Sequence, residues 1–147
     1  MKTGFLIIAH APLASALREA VLHIFSEHSA IVAAIDVRKD EATEITLAEA
    51  RRALAKLATE QCLVVTDMVG GTPCNVAQKL VEGTGIPVLS GGNLPMLVRA
   101  MNYRTENLEL VVQRAQEGGR NGVVRVNQPV NQTLPQPSTS QALYSGT

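Results

Sequence analysis

Short apolar runs punctuate the chain at Gly4 to Ala9, Ile31 to Ile35, Cys62 to Thr66 and Ile86 to Leu89, each bounded by polar or turn-forming residues. Runs this short, with no polar residue at alternate positions, fit strands covered on both faces, as parallel strands are. Between them the apolar positions change to a spacing of three and four. Leu13, Leu17, Ala20, Val21 and Ile24 fall on one helical face, and Leu47, Ala50, Leu54 and Leu57 on another. Strand and helix in alternation predict an α/β fold: a doubly wound, mainly parallel sheet, expected in the order 2-1-3-4. A further helix is predicted after Thr105, with Leu108, Val111, Val112 and Ala115 on its inner face and Gly118 and Gly119 closing it. The segment "GVVRV", Gly122 to Val126, reads as a last strand. Its partner is either its own sheet or a neighbouring subunit, and the pattern leaves both open.

After Val126 the character of the chain changes. Residues 127–147 carry no charge and are rich in Pro, Gln, Asn, Ser and Thr, a tail or linker composition, so residues 1–126 are expected to be the folded domain. At 147 residues and 46% hydrophobic, the chain is of a size for one globular domain. Its 13 basic and 13 acidic residues cancel without forming a basic stripe, so nucleic acid is not an expected partner. The apolar start "MKTGFLIIAHAPLASALREA" runs into a polar helix bearing Arg18 and Glu19 instead of a cleavage site, so neither a signal peptide nor a membrane span is expected. Cys62 and Cys74 form no CxxC pair and have no His-rich segment beside them. A disulfide framework and a zinc site are thus not suggested, and a reducing cytoplasm is the expected location.

The chemistry concentrates in "VVTDMVGGTPCNVA", Val64 to Ala77, where a strand runs straight into an aspartate and a glycine pair. Gly70 and Gly71 let the backbone turn sharply or approach a ligand. Thr72 is expected to cap the helix that follows, with Pro73 at its first position. The amides of Gly70, Gly71 and Thr72, with the Thr72 hydroxyl, would then receive phosphate oxygens at a helix N-terminus. In a sheet of order 2-1-3-4, the ligand crevice lies between strands one and three. His10 ends the first of these and Asp67 follows the other. An imidazole with one nitrogen held by a carboxylate presents its other nitrogen as an oriented nucleophile. Alone, a strand-end histidine is commonly structural and an aspartate commonly a turn or cap residue; their coincidence at adjacent strand ends is what points to a site. His23 and His28 lack such company and read as helix-surface and helix-end residues, and Cys74 reads as packing. "GGNLPM", Gly91 to Met96, repeats the grammar of strand, glycine, proline and helix. It is expected to wall the same crevice through Asn93 and Pro95, unless it merely starts a helix.

Other chemistries lack their motifs. The chain has no GxxxxGK[ST] nucleotide loop, no GxGxxG after the first strand and no GxSxG elbow. A receiver domain would share the fold but needs an acidic cluster after strand one, where Ala9 and His10 stand. The site reads as one that accepts and passes on a phosphoryl group with no cofactor, neither nucleotide nor metal.

The segments "FLIIAHAPLA", "TDMVGGTPCNVA" and "GGNLPMLV", in this order within residues 1–126, resemble the IIA component of mannose-type sugar phosphotransferase systems. IIA domains of dihydroxyacetone kinase systems, with a shorter glycine-serine loop, are less similar. The resemblance implies that His10 receives phosphate from the phosphocarrier protein HPr and passes it to a IIB component, which phosphorylates sugar entering through a membrane permease. It also implies that Asp67 orients the His10 ring and that Thr72 stands where serine is usual. Val69 replaces an expected aromatic residue and Ala11 an expected glycine, departures that bear on partner docking and sugar class. Such proteins are often homodimers with the last strand exchanged, a part "GVVRV" would play, and some are joined to IIB by a Pro-rich linker like the tail here. Two other readings compete. One is a regulatory binding module reporting phosphorylation state without sugar transport; the other is a flavodoxin-like or receiver-like binder using flavin or an aspartyl phosphate.

Overall fold

A computed structural model describes residues 2–127 of the chain. All but the first residue of the tail therefore lies outside the described residues. In chain order the elements are β1 (Thr3–His10), α1 (Leu13–Ile24), β2 (Val32–Val37), α2 (Thr43–Lys56), β3 (Gln61–Thr66), α3 (Thr72–Val81), β4 (Val88–Leu89), α4 (Leu94–Asn102) and α5 (Leu108–Asn121), with a single 3₁₀ turn at Ser29–Ile31 before β2. The four strands form one sheet in the order β2-β1-β3-β4, and every pairing is parallel. The fold is thus the doubly wound α/β arrangement that the apolar runs predict. Two of those runs begin early: Ile31 belongs to the 3₁₀ turn, and Ile86 and Pro87 precede a β4 of only 2 residues. Pro87 brings no amide hydrogen to a ladder, though its carbonyl accepts from the Val64 amide at 3.1 Å.

The unbroken apolar run of β1 has a direct cause. Phe5, Ile7 and Ala9 point into one core with Leu63, Val65, Leu97, Met101 and Val111, while Leu6 and Ile8 point into another with Val64, Ala50, Val76 and Ala77. Alternate side chains of a strand leave by opposite faces, and here both faces carry helices. Only His10, where the strand leaves the sheet, is exposed. At the β2 edge, Arg18 of α1 reaches across, its Nε donating to the Val32 carbonyl at 2.6 Å and its Nη2 to the Ser29 carbonyl at 3.1 Å. A cation thus covers backbone that would otherwise face another strand.

Two expectations at the C-terminal end need correction. Gly118 and Gly119 do not close a helix; α5 continues through them to Asn121. Their smallness serves packing against α4. A methyl group at Gly118 would stand 2.6 Å from the Cβ of Arg99, and one at Gly119 would stand 3.0 Å from the Met96 methyl. At Gly122, just past the helix, it would meet the Pro95 Cβ at 2.5 Å. The segment 122–126 is not a strand within its own sheet. After the Gly122 turn it runs without ladder bonds, with Val123 83% and Val126 90% exposed. β-branched residues favour extended backbone, but a strand exists only with a partner, and the described chain supplies none here. Among the described residues, no helix is long and apolar enough to cross a membrane.

Candidate functional site

The register of the two central strands assembles the site. Ile8 of β1 lies opposite Thr66 of β3, so both chains leave the sheet at the same level, His10 from one and Asp67 from the other. Asp67 Oδ2 accepts the backbone N–H of His10 at 3.0 Å and lies 2.7 Å from the ring Nδ1, while Oδ1 accepts the Met68 N–H at 2.9 Å. An ionised carboxylate can only accept, so Nδ1 carries a proton, and it is Nε2 that holds the lone pair whenever the ring is neutral. The Asp67 side chain is only 11% exposed, whereas that of His10 is 52% exposed. Burial pushes the Asp67 carboxyl upward, but the His10 amide, the His10 ring and the Met68 amide outweigh it and hold the group below its ordinary value. The pair is therefore an ionised, shielded carboxylate holding one nitrogen of an accessible imidazole.

The glycine loop lies beside the ring. Gly70 takes φ +88°, a left-handed turn that suits only glycine well. Gly71 is the N-cap of α3, and its carbonyl accepts the Asn75 N–H at 3.1 Å. This moves the helix start one residue from where the sequence places it. Thr72 is the first helical residue, makes no side-chain cap bond, and brings Pro73 to the second position. The capping role expected of the Thr72 hydroxyl is thus incorrect, because the true cap is the extended residue before it. A methyl group built on Gly71 would lie 3.2 Å from the His10 Cε1 and 3.7 Å from its Nε2, so the start of α3 adjoins the ring.

Asn93 is the N-cap of α4. Its Oδ1 accepts the Met96 N–H at 2.9 Å and its Nδ2 donates to the Gly119 carbonyl at 3.1 Å, while Pro95 lies under Gly122. Both residues anchor the loop after β4. What that loop brings to β3 is nearer its start: the Gly92 amide donates to the Thr66 carbonyl at 2.8 Å, and the Thr66 hydroxyl donates to Ser90 Oγ at 3.0 Å.

Sequence reasoning missed this link, and it missed Asp36. That carboxylate, one residue before the end of β2, accepts the Ser15 amide at 3.0 Å and the Ser15 hydroxyl, fixing the start of α1 close behind His10. An acid closing an apolar run, just before a turn, was a readable signal for it. The Ala11 amide, donating to the Val37 carbonyl at 3.0 Å, ties down the same turn. Around the site Leu13, Met68 and Val69 are exposed apolar residues, the last 76% so. His28 follows α1 as expected, its Nε2 3.2 Å from an Arg104 nitrogen, and Cys74 is buried.

Over residues 4–115 the chain matches the EIIA-man family, described as the PTS system fructose IIA component. Among solved structures it is similar to phosphotransferase system component EIIA from Streptococcus agalactiae, with 27% identity and a TM-score of 0.73 over 84% of this chain and 96% of that one. It is also similar to the mannose/sorbose specific IIA subunit from Enterococcus faecalis, with 25% identity and a TM-score of 0.77 over 88% of this chain and 98% of that one. A PTS IIA protein associated with the fucose utilization operon of Streptococcus pneumoniae shares the fold at 24% identity and a TM-score of 0.68, over 86% of this chain and 94% of that one. No match is found among curated proteins. Because the matched span runs from β1 into α5 and contains His10, Asp67 and the glycine loop alike, the chain belongs to the EIIA-man family of phosphotransferase system components.

Proposed function

We propose that this member of a sugar phosphotransferase family is a phosphoryl carrier, with His10 accepting phosphate from phospho-HPr and handing it to a IIB component for sugar uptake. The observation that carries the reading is the His10–Asp67 pair, with Nδ1 held at 2.7 Å and the imidazole over half exposed. The lone pair of Nε2 attacks the phosphorus while the bond to the donor nitrogen breaks, so that nitrogen recovers its electron pair. A ring phosphorylated at Nε2 that keeps its Nδ1 proton is cationic, and the ionised Asp67 faces that charge. The amides of Gly70, Gly71 and Thr72 and the Thr72 hydroxyl take the phosphoryl oxygens at the start of α3. Asn93 and Pro95 act on this crevice by holding the loop that forms its far wall. The return step is the same attack in reverse, by the nucleophile of IIB, and it uses no cofactor.

Leu13, Met68 and Val69 form the apolar rim on which the partner proteins dock, in the cytoplasm and next to the permease. The protein works as a homodimer, in which residues 122–126 pair with a neighbour's sheet; the exposure of Val123 and Val126 supports this. Sedimentation equilibrium should then give twice the chain mass, and a monomer at tens of micromolar would refute the pairing. The carrier role is tested by incubating the protein with enzyme I, HPr and labelled phosphoenolpyruvate. One acid-labile, base-stable label per chain is expected, since protonating a phosphoramidate nitrogen releases its phosphate. A protein that takes no label under these conditions is not this carrier.

A further inference from the structure

We propose that Gly71 is a positioning residue for phosphoryl transfer, because the lack of a side chain there lets the His10 ring settle between Asp67 and the start of α3. This deepens the reading of His10 as phosphoryl acceptor and rests on it. Two neighbours bound the ring. Asp67 Oδ2 holds Nδ1 at 2.7 Å. Gly71 lies beside the edge that carries Cε1 and Nε2, where an added methyl group would stand 3.2 Å from Cε1 and 3.7 Å from Nε2. Cε1 lies between the two ring nitrogens, so an atom pressing on it either swings the ring away from Asp67 or stays in place over the approach to Nε2. Either result harms the reaction: the first loosens the proton on Nδ1, and the second crowds the phosphoryl group out of reach of the first-turn amides.

The backbone gives no competing reason for glycine at this position. Gly71 sits at φ −105° and ψ 171°, extended geometry that alanine adopts without strain. Its neighbour is the reverse case. Gly70 has φ +88°, and a methyl group there would meet nothing within 4 Å. One glycine is favoured by backbone conformation, the other by the closeness of the ring, which an added methyl group would displace by a few tenths of an ångström. Two adjacent substitutions should therefore have opposite signatures.

Gly71→Ala is expected to lower the maximal rate of transfer from phospho-HPr at least tenfold, with little change in the half-saturating HPr concentration and a melting temperature within about 2 °C of wild type. The ring ¹⁵N shifts of His10 should move from a single Nδ1–H form toward a mixture of tautomers. Gly70→Ala should instead lower the melting temperature by about 4 °C or more while leaving the ring signals as in wild type. Wild-type transfer and wild-type ring signals in Gly71→Ala would overturn the proposal. So would a transfer defect with unchanged ring signals and a stability loss equal to that of Gly70→Ala, since that describes a merely structural glycine. If the wild-type protein takes no phosphate, the reading of His10 as acceptor falls. The ring shifts of the unphosphorylated Gly71→Ala protein then still decide whether Gly71 positions the imidazole: displaced signals support it and unmoved signals refute it.

Discussion

His10→Ala should take no phosphate from phospho-HPr, a loss of about 10³-fold or more, while remaining folded. The size of the effect follows from what remains. The amides of the α3 start and the Asp67 carboxylate stay in place, but neither is a nucleophile for phosphorus in this arrangement. Stability should change little, because the side chain removed is 52% exposed. Asp67 also keeps two of its three donors, the backbone amides of His10 and Met68. Losing the third costs about 0.5 to 1.5 kcal/mol, a shift of a few degrees in melting temperature for a domain of this size. Labelling and thermal melting on the same preparation separate the two effects. If the folded variant still carries acid-labile, base-stable phosphate, the acceptor is another residue.

Asp67→Asn is expected to slow transfer by at least about 10- to 100-fold, the loss typical when a carboxylate that fixes the tautomer and orientation of a metal-bound imidazole is removed. All three partners of Asp67 are donors, and an amide offers one acceptor and one donor. With its oxygen toward His10, its NH₂ confronts the Met68 amide; reversed, it confronts both His10 groups. Neither orientation restores the wild-type set, and both lack the negative charge that faces a phosphorylated ring. The same substitution should change the acid limb of stability. Because the Asp67 carboxyl is held below its ordinary value in the folded protein, its ionised form favours folding fully above the ordinary aspartate range near about 3.9. That stabilisation is lost as pH falls through the lowered folded-state value. Urea unfolding across the acid range should therefore show a decline in wild type that is smaller in Asp67→Asn. Parallel declines, together with an unchanged transfer rate, would reduce Asp67 to a turn residue.

The parts of this structure that were legible in the sequence are those that depend on a residue and its own burial. The run Phe5 to Ala9 announces a strand covered on both faces because each of its side chains has to leave water, whichever way it points. His10 and Asp67 could be paired because parallel strands of that order leave the sheet side by side, so topology replaced distance. The failures lie where the meaning of a residue depends on what faces it. Gly118 and Gly119 look like a helix stop, and only the presence of Arg99 and Met96 across the gap shows that they are a packing surface. The Thr72 cap failed by one position, because Gly71 and Thr72 can each begin a helix before Pro73. Thr66 with Ser90, and Asp36 with Ser15, meet through register and helix placement, which no one-dimensional pattern carries. "GVVRV" has the composition of a strand, yet the described chain offers it no partner, and a strand exists only with one.

The glycine surface of α5 also bears on how the molecule breathes. A glycine inside a helix is about 1 kcal/mol less favourable than alanine, and α5 carries two in succession before its last residues, Arg120 and Asn121. That final turn has little helical tendency of its own and persists because α4 lies across it. Conversely α4 is capped by Asn93, whose side-chain Nδ2 donates to the Gly119 carbonyl of that same turn. Each helix end thus depends on the other, and neither can fray alone. The amide hydrogens of the two should exchange with solvent through one shared opening, with a common free energy, instead of unravelling separately from their tips.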